Sequence, residues 1–127
     1  MHCTSLTTTT TLPSTPQTQL CTSSSCSVCN IIRSGFDVSY AQPGRYGKGL
    51  YFSATSSKSI DYTSPSATNG MRYMFIASVT CGKVWKPTQS LWGHAGNPTP
   101  AGYHSVCGDP RAATDLNYDE VVIYDNA

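Results

Sequence analysis

The sequence predicts a single α+β domain built on a small mixed or mainly antiparallel sheet. Three observations carry that prediction. The chain has 127 residues, enough for one hydrophobic core. Its apolar residues fall into short runs bounded by Gly, Pro and Ser, which is the pattern of short strands. Helical spacing is confined to two brief stretches that alternate with those runs.

Taken in order, residues 4–19 (TSLTTTTTLPSTPQTQ) are Thr/Ser/Pro-rich. They bury too little to fold alone and read as a flexible loop. Residues 24–33 (SSCSVCNIIR) suit a short helix: serines are available as caps, Val28, Ile31 and Ile32 share a face, and Gly35 stops it. FDVSY (36–40) is a short strand candidate. LYFS (50–53) is a strand between Gly49 and a serine run, and residues 56–62 (SSKSIDY) form a helix capped by Ser56 or Ser57. TSPSATNG ends that helix. RYMFIASVTCG (72–82), nearly continuous in apolar residues, is expected as the longest and most central strand. Residues 86–101 are loop, GYHSVCG (102–108) is a strand, and EVVIYD (120–125) is the last one.

Composition narrows the function. Charged residues make up 12% and the net charge is +1, so no electrostatic footprint for nucleic acid or an anionic membrane surface is present. No apolar run approaches a membrane span, and MHCTSLTTTT lacks the basic start and apolar block of an export signal. The chain therefore reads as intracellular, cytoplasmic or nuclear, with its six cysteines as thiols or metal ligands.

The stretch GRYGKGLYFSATSSKSIDY (44–62) draws the chemistry. A dinucleotide fingerprint places its glycines after a strand and before a helix, whereas here a strand follows them. A Walker loop needs Ser or Thr after Gly-Lys, and Lys48 is followed by Gly49. What remains is a sharp turn into a strand. In that strand Tyr51 and Ser53 alternate with Leu50 and Phe52, and in the helix Ser59 and Tyr62 lie three apart on one face. A helix packed back across the strand brings Tyr51, Ser59 and Tyr62 to one slot. Two rings and a hydroxyl suit a flat aromatic amide, and a pyridinium would gain from the ring quadrupoles. The competing reading makes both tyrosines ordinary packing residues.

Glu120 opens an alternating strand in which it shares a face with Val122 and Tyr124. A carboxylate at a strand end beside a cleft can stabilise developing positive charge; the alternative is a solvated charge. Asp119 and Asp125 compete for the acidic role. Cys21, Cys26 and Cys29 lie close in sequence, with Cys3 or His2 available as a fourth ligand, but only Cys26 and Cys29 have the two-residue gap of a zinc pair. Structural zinc, free thiols and disulfides all stay open for them. Cys81 and Cys107 read as core, and His94 and His104 show no obvious partner.

The same residues resemble a known family. GRYGKGLYFSATSSKSIDY looks like the nicotinamide-pocket segment of the poly(ADP-ribose) polymerase catalytic domain. MHCTS resembles its His-Gly-x-Thr strand, GYHSVCG its Gly-x-x-Ser-Val segment, and YDEVVIYD its closing Asp-Glu-x-x-Val-Tyr-Asp strand. SCSVCNIIRSGF is most similar to the compact, fungal-type members. The resemblance implies split sheets around an NAD⁺ cleft, with Cys3 where the family has glycine and with the chain stopping before the family's final strand. It also implies a His2–Tyr51–Glu120 triad. His2 would hold the adenosine-side ribose, and Tyr51 and Tyr62 would sandwich the nicotinamide, with Gly49 in the same pocket. Ser59 and the backbone of Cys3 would bond the carboxamide, and Glu120 would support an oxocarbenium-like transition state. The implied activity is ADP-ribosyl transfer from NAD⁺ to a protein, a nucleic-acid terminus or water. The alternatives are a degenerate module that binds NAD⁺, ADP-ribose or a protein without turnover, and a zinc-stabilised interaction domain built on residues 21–29.

Overall fold

A computed structural model describes residues 20–66, 70–112 and 115–126. His2, Cys3 and the Thr/Ser/Pro-rich segment 4–19 lie outside the described residues. Within them the chain has the expected α+β fold, with short helices beside a mixed sheet.

The first predicted helix forms as α1, Ser27–Ser34. Gly35 ends it at φ 78°, in the left-handed region, with its N–H donating to the Ile31 carbonyl at 2.8 Å. That is the glycine stop the sequence called for. The serine caps are not used. Cys26 stands at the N-cap without a side-chain bond, and its N–H donates to the Ser23 carbonyl at 3.2 Å. FDVSY does not form a strand. Val38–Tyr40 is a single 3₁₀ turn, because the Asp37 carboxylate accepts from the Ser39 N–H at 2.8 Å. A local side-chain bond of this kind outcompetes a ladder.

The glycine-rich stretch is a tight hairpin. β1 (Pro43–Gly44) and β2 (Gly47–Lys48) pair antiparallel around Arg45 and Tyr46. β3 (Leu50–Phe52) follows and then α2 (Ser56–Ile60), with Thr55 rather than a serine at the N-cap. Tyr62 therefore sits in the turn just after α2. The remaining strands are β4 (Val84–Trp85), β5 (Ser105–Gly108) and β6 (Glu120–Ile123). The sheet order is β3-β6-β5-β4, antiparallel except for the parallel β4–β5 pair.

The register defines the core. Tyr51 pairs with Val122, Val122 with Val106 and Val106 with Trp85, so these four form one row on one face. Tyr46 and Leu116 close over that row, and Tyr46, Val106 and Val122 are fully buried. Gly108 makes the room: a Cβ there would lie 2.6 Å from the Tyr46 ring. Gly49 does the same for the sheet edge, since a Cβ would meet Val122 Cγ1 at 2.6 Å and the Ile123 carbonyl at 2.8 Å. On the opposite face Phe52 meets Phe36 edge-on at 5.4 Å, and Phe36 meets Phe75 at 5.6 Å.

One expected element is corrected. Residues 72–82 are not a central strand. Among the described residues only Tyr73 and Met74 take isolated bridge positions, and Ile76 is fully exposed. The central places belong to β5 and β6, which pair with each other and with the flanking β4 and β3. The 72–82 run is apolar without period-2 alternation, and such a run does not by itself fix a strand. The chain joins the sheet just after it, at β4. There the Lys83 N–H donates to His104 Nδ1 and the His104 N–H to the Lys83 carbonyl, each at 2.9 Å. His104 thus has a structural partner.

Two tyrosine hydroxyls tie the hairpin to the sheet. The Tyr51 hydroxyl donates to the Gly47 carbonyl and accepts from the Tyr46 N–H, both at 2.8 Å. The Tyr124 hydroxyl donates to the Tyr46 carbonyl at 2.6 Å. Burial pushes the phenols of Tyr46 and Tyr51 up to about 12, and raises that of Tyr124 as well. The fold prefers the neutral phenols, so their contribution is complete below about pH 10, the ordinary tyrosine value, and is lost as pH rises towards 12.

Two outcomes follow for stability. Gly49→Ala should lower the unfolding free energy by about 1–3 kcal/mol, the usual cost of overpacking, as read from the denaturant midpoint. Tyr51→Phe should cost about 1 kcal/mol at neutral pH through its lost hydrogen bonds. It should also make the alkaline fall in thermal midpoint shallower than in the parent. An unchanged alkaline slope would show that this phenol does not titrate with unfolding.

Candidate active site

A cleft of about 440 Å³ opens between the hairpin, β3, α2 and the start of β6. The fold explains why these parts meet. β6 pairs with β3, so Glu120 at the head of β6 lies beside the end of β3, where the chain turns into α2. Asp119 secures that corner. Its carboxylate accepts from the Ala54 N–H at 3.1 Å and lies 3.5 Å from the Ser53 hydroxyl. α2 is thereby carried back over the strand, as the placement of Ser59 and Tyr62 required.

Of the residues singled out from sequence, Gly49, Tyr51, Ser59, Tyr62 and Glu120 all line this cleft. The Tyr51 hydroxyl is engaged by the hairpin, so what it offers the cleft is its ring. A Cβ at Gly44 would stand 2.8 Å from that ring, so only glycine lets the hairpin lie against it. The Ser59 hydroxyl lies 3.5 Å from the Thr55 carbonyl, too long to be a strong bond. Tyr62 is 55% exposed and forms the outer wall.

Glu120 is the buried acid of the cleft, only 5% exposed. Its Oε1 lies 2.7 Å from Lys58 Nζ. Its Oε2 lies 3.9 Å from Arg45 Nε and accepts no hydrogen bond among the described residues. Burial works against the Lys58 charge, but the hydrogen bond and charge of Glu120 outweigh it, so Lys58 is held above the ordinary lysine value. Lys58 Nζ also lies 3.3 Å from the Tyr62 hydroxyl and 5.2 Å above its ring. Arg45 is shared: it contacts Asp115 Oδ2 at 2.5 Å and the Ser90 hydroxyl at 3.0 Å, and stacks 5.2 Å over Trp92. The hydrogen bond from Ser90, followed by the Arg45 charge, holds the Asp115 carboxyl below its usual range.

The competing acids stand elsewhere. Asp119 serves the β3–α2 corner, and Asp125 accepts from the Asn126 N–H at 2.9 Å. Lys58, Arg45 and Trp92 were not anticipated. The Lys58–Tyr62 contact has a readable signal, since the two are four apart in a helical stretch. The approach of Arg45 and Trp92 depends on loop paths and has none.

The remaining candidates separate as well. Cys21, Cys26 and Cys29 converge, with their sulfur atoms all within 4.8 Å of one another. All described cysteines are free thiols. Cys81 and Cys107 are partly buried, and burial raises the Cys107 thiol. His94 lies in an exposed loop. Among the described residues no helix is long and apolar enough to cross a membrane.

Comparison with known proteins bears on what this cleft is. A family model described as the poly(ADP-ribose) polymerase catalytic domain matches residues 17–127. Protein mono-ADP-ribosyltransferase PARP4 of Homo sapiens is 37% identical over 84 residues, covering 64% of this chain and 5% of that protein. Its Mus musculus counterpart is 36% identical over 87 residues, covering 64% of this chain and 4% of that protein. A probable poly [ADP-ribose] polymerase of Dictyostelium discoideum is 41% identical over 56 residues, covering 43% of this chain and 17% of that protein. The chain thus spans a small part of the length of the relatives it matches. The family match runs through the hairpin, α2 and β6, the elements that build the cleft, and this chain belongs to the poly(ADP-ribose) polymerase catalytic-domain family.

Proposed function

We propose that this chain transfers ADP-ribose from NAD⁺ to an acceptor and releases nicotinamide. The observation that carries the reading is Glu120: a buried carboxylate, at the end of an aromatic cleft, with one oxygen that accepts no hydrogen bond among the described residues. A group buried in that way is expected to meet a partner that arrives with the ligand. Tyr51 and Tyr62 would take the two faces of the nicotinamide, and the loosely held Ser59 hydroxyl would turn to its carboxamide. His2 on the adenosine-side ribose and the Cys3 backbone on the carboxamide complete the reading on the strength of the sequence resemblance. That likeness, carried by SCSVCNIIRSGF, also supports a compact, fungal-type catalytic domain.

The chemistry asks little of such a site. The bond between the ribose anomeric carbon and the pyridinium nitrogen breaks, and its electron pair neutralises the ring, so no general acid is needed. Positive charge develops on the ribose. Glu120 Oε2 stabilises that charge or bonds the ribose hydroxyl, while Lys58 fixes the carboxylate through Oε1 in a poorly solvated site. The acceptor oxygen, from a protein side chain, a nucleic-acid terminus or water, forms the new bond to the anomeric carbon, and a hydroxyl or water acceptor passes its proton to solvent. Two of the relatives are named mono-ADP-ribosyltransferases, which supports transfer of single units.

A second reading, binding of NAD⁺ or ADP-ribose without turnover, is favoured by the 2.7 Å Lys58–Glu120 pair, which already compensates the carboxylate. Glu120→Gln separates the two. A transferase should lose about 10²–10³-fold in nicotinamide release while NAD⁺ still stabilises the folded chain. Release that is absent from the parent, or equal in both proteins, would overturn the catalytic reading. Tyr62→Ala should mainly raise the KM for NAD⁺, by about tenfold for a lost stacking contact of about 1–1.5 kcal/mol. Initial rates against NAD⁺ concentration would check it.

A further inference from the structure

The family function leaves one cluster unused. Cys21, Cys26 and Cys29 sit at the opposite end of α1 from Phe36, and none of them lines the cleft. Their three sulfurs lie within 4.8 Å of one another. Sulfurs sharing one tetrahedral zinc ion stand about 3.8 Å apart, from Zn–S bonds of about 2.3 Å. The observed separations exceed that by no more than about 1 Å.

The backbone holds this convergence in place. The Arg33 guanidinium donates to the Cys21 carbonyl. The Asn30 side chain donates to the Ser24 carbonyl at 2.8 Å, and the Cys26 N–H to the Ser23 carbonyl at 3.2 Å. Arg33 Nη1 also donates to Asn30 Oδ1 at 3.0 Å. Segment 21–25 is thus folded back on α1, and Cys21 stands beside Cys26 and Cys29, the two that open the helix. Cys26 is the N-cap and Cys29 lies in the first turn, where unpaired N–H groups favour negative charge.

We propose that Cys21, Cys26 and Cys29 form a three-thiolate site for one thiophilic d¹⁰ cation, zinc, with water in the fourth position. Binding releases three thiol protons to solvent and forms three Zn–S bonds, with no change of oxidation state. The assembly carries one net negative charge, and Arg33 and the start of α1 are its neighbours of opposite sign. The zinc braces α1, and α1 leads through Gly35 to Phe36, which packs on Phe52 of β3. The site therefore supports one flank of the sheet that carries the cleft, and it stands whether or not the cleft turns over NAD⁺.

The test is metal analysis of the full chain purified under reducing conditions, together with cobalt(II) titration of the chelator-stripped chain. The expected result is about one zinc per chain and a tetrahedral cobalt–thiolate spectrum. Cys26→Ser and Cys29→Ser should each weaken the affinity at least 100-fold, while Cys81→Ser binds as the parent does. The thermal midpoint should fall on chelation and return with zinc. Cys26→His, which keeps a ligand, should retain the metal with an altered cobalt spectrum even where the serine variants fold poorly. Less than about a tenth of an equivalent of zinc with no cobalt–thiolate spectrum would overturn the site, as would a Cys26–Cys29 disulfide in the reduced preparation.

Discussion

The hydroxyl of Tyr51 is the constraint on which the rest of this structure turns. It joins a strand of the sheet to the turn of the glycine hairpin, through the Gly47 carbonyl and the Tyr46 N–H. That grip brings Tyr46 down onto Val106 and Val122, where it is the largest fully buried side chain. It also draws Gly44 against the Tyr51 ring. Without the bond, the Tyr46 N–H and the Gly47 carbonyl would each lose this partner, at about 1 kcal/mol, a noticeable share of a small domain's net stability. The same bond decides what the cleft can use. With its oxygen committed, Tyr51 presents a ring, so aromatic stacking is the interaction left to it.

The buried charges form a second system built on the first. Glu120 is almost wholly removed from water, and an unpaired carboxylate there would be too costly to keep. Lys58 takes one oxygen closely, and Arg45 approaches the other at a distance because Asp115, Ser90 and Trp92 also hold it. The result is asymmetric. One side of the carboxylate is anchored and the other is only weakly compensated. A symmetric pair of close cations would have satisfied Glu120 fully and left it nothing to offer a ligand.

How much of this was legible follows from the range of each interaction. The Gly35 stop, the 50–53 and 120–125 strands and the placing of Glu120 with Val122 and Tyr124 depend on local pattern, and they stood clear in the sequence. So did Tyr51, Ser59 and Tyr62 as neighbours, because a strand, a short corner and a helix leave few ways to return. The failures have different causes. FDVSY lost its strand to one Asp37 side-chain bond, which propensity alone does not weigh. The 72–82 run gave no sign of which neighbour it would meet. Lys58 was visible as a residue, but its partner lies 62 positions away along the chain, brought near only by the β3–β6 register.

The glycines show how close approach, rather than flexibility, shapes the site. Gly44, Gly49 and Gly108 have no need of left-handed backbone; each is glycine because another group occupies the place of its Cβ. Gly44 yields to the Tyr51 ring, Gly49 to Val122 and the Ile123 carbonyl, and Gly108 to Tyr46. Gly47 of the hairpin adds a positive φ, 81°, and there too a Cβ would strike backbone, the Gly96 carbonyl oxygen at 2.2 Å. These absences let a hairpin, a strand edge and a buried phenol stack within one small sheet. The cleft is what lies over that stack, walled by α2 on one side and by the hairpin on the other. A sequence motif rich in glycine that elsewhere would cradle a phosphate here does a different job. It removes side chains so that two layers of backbone and one tyrosine ring can meet, and it leaves the polar work to Lys58, Ser59 and Glu120.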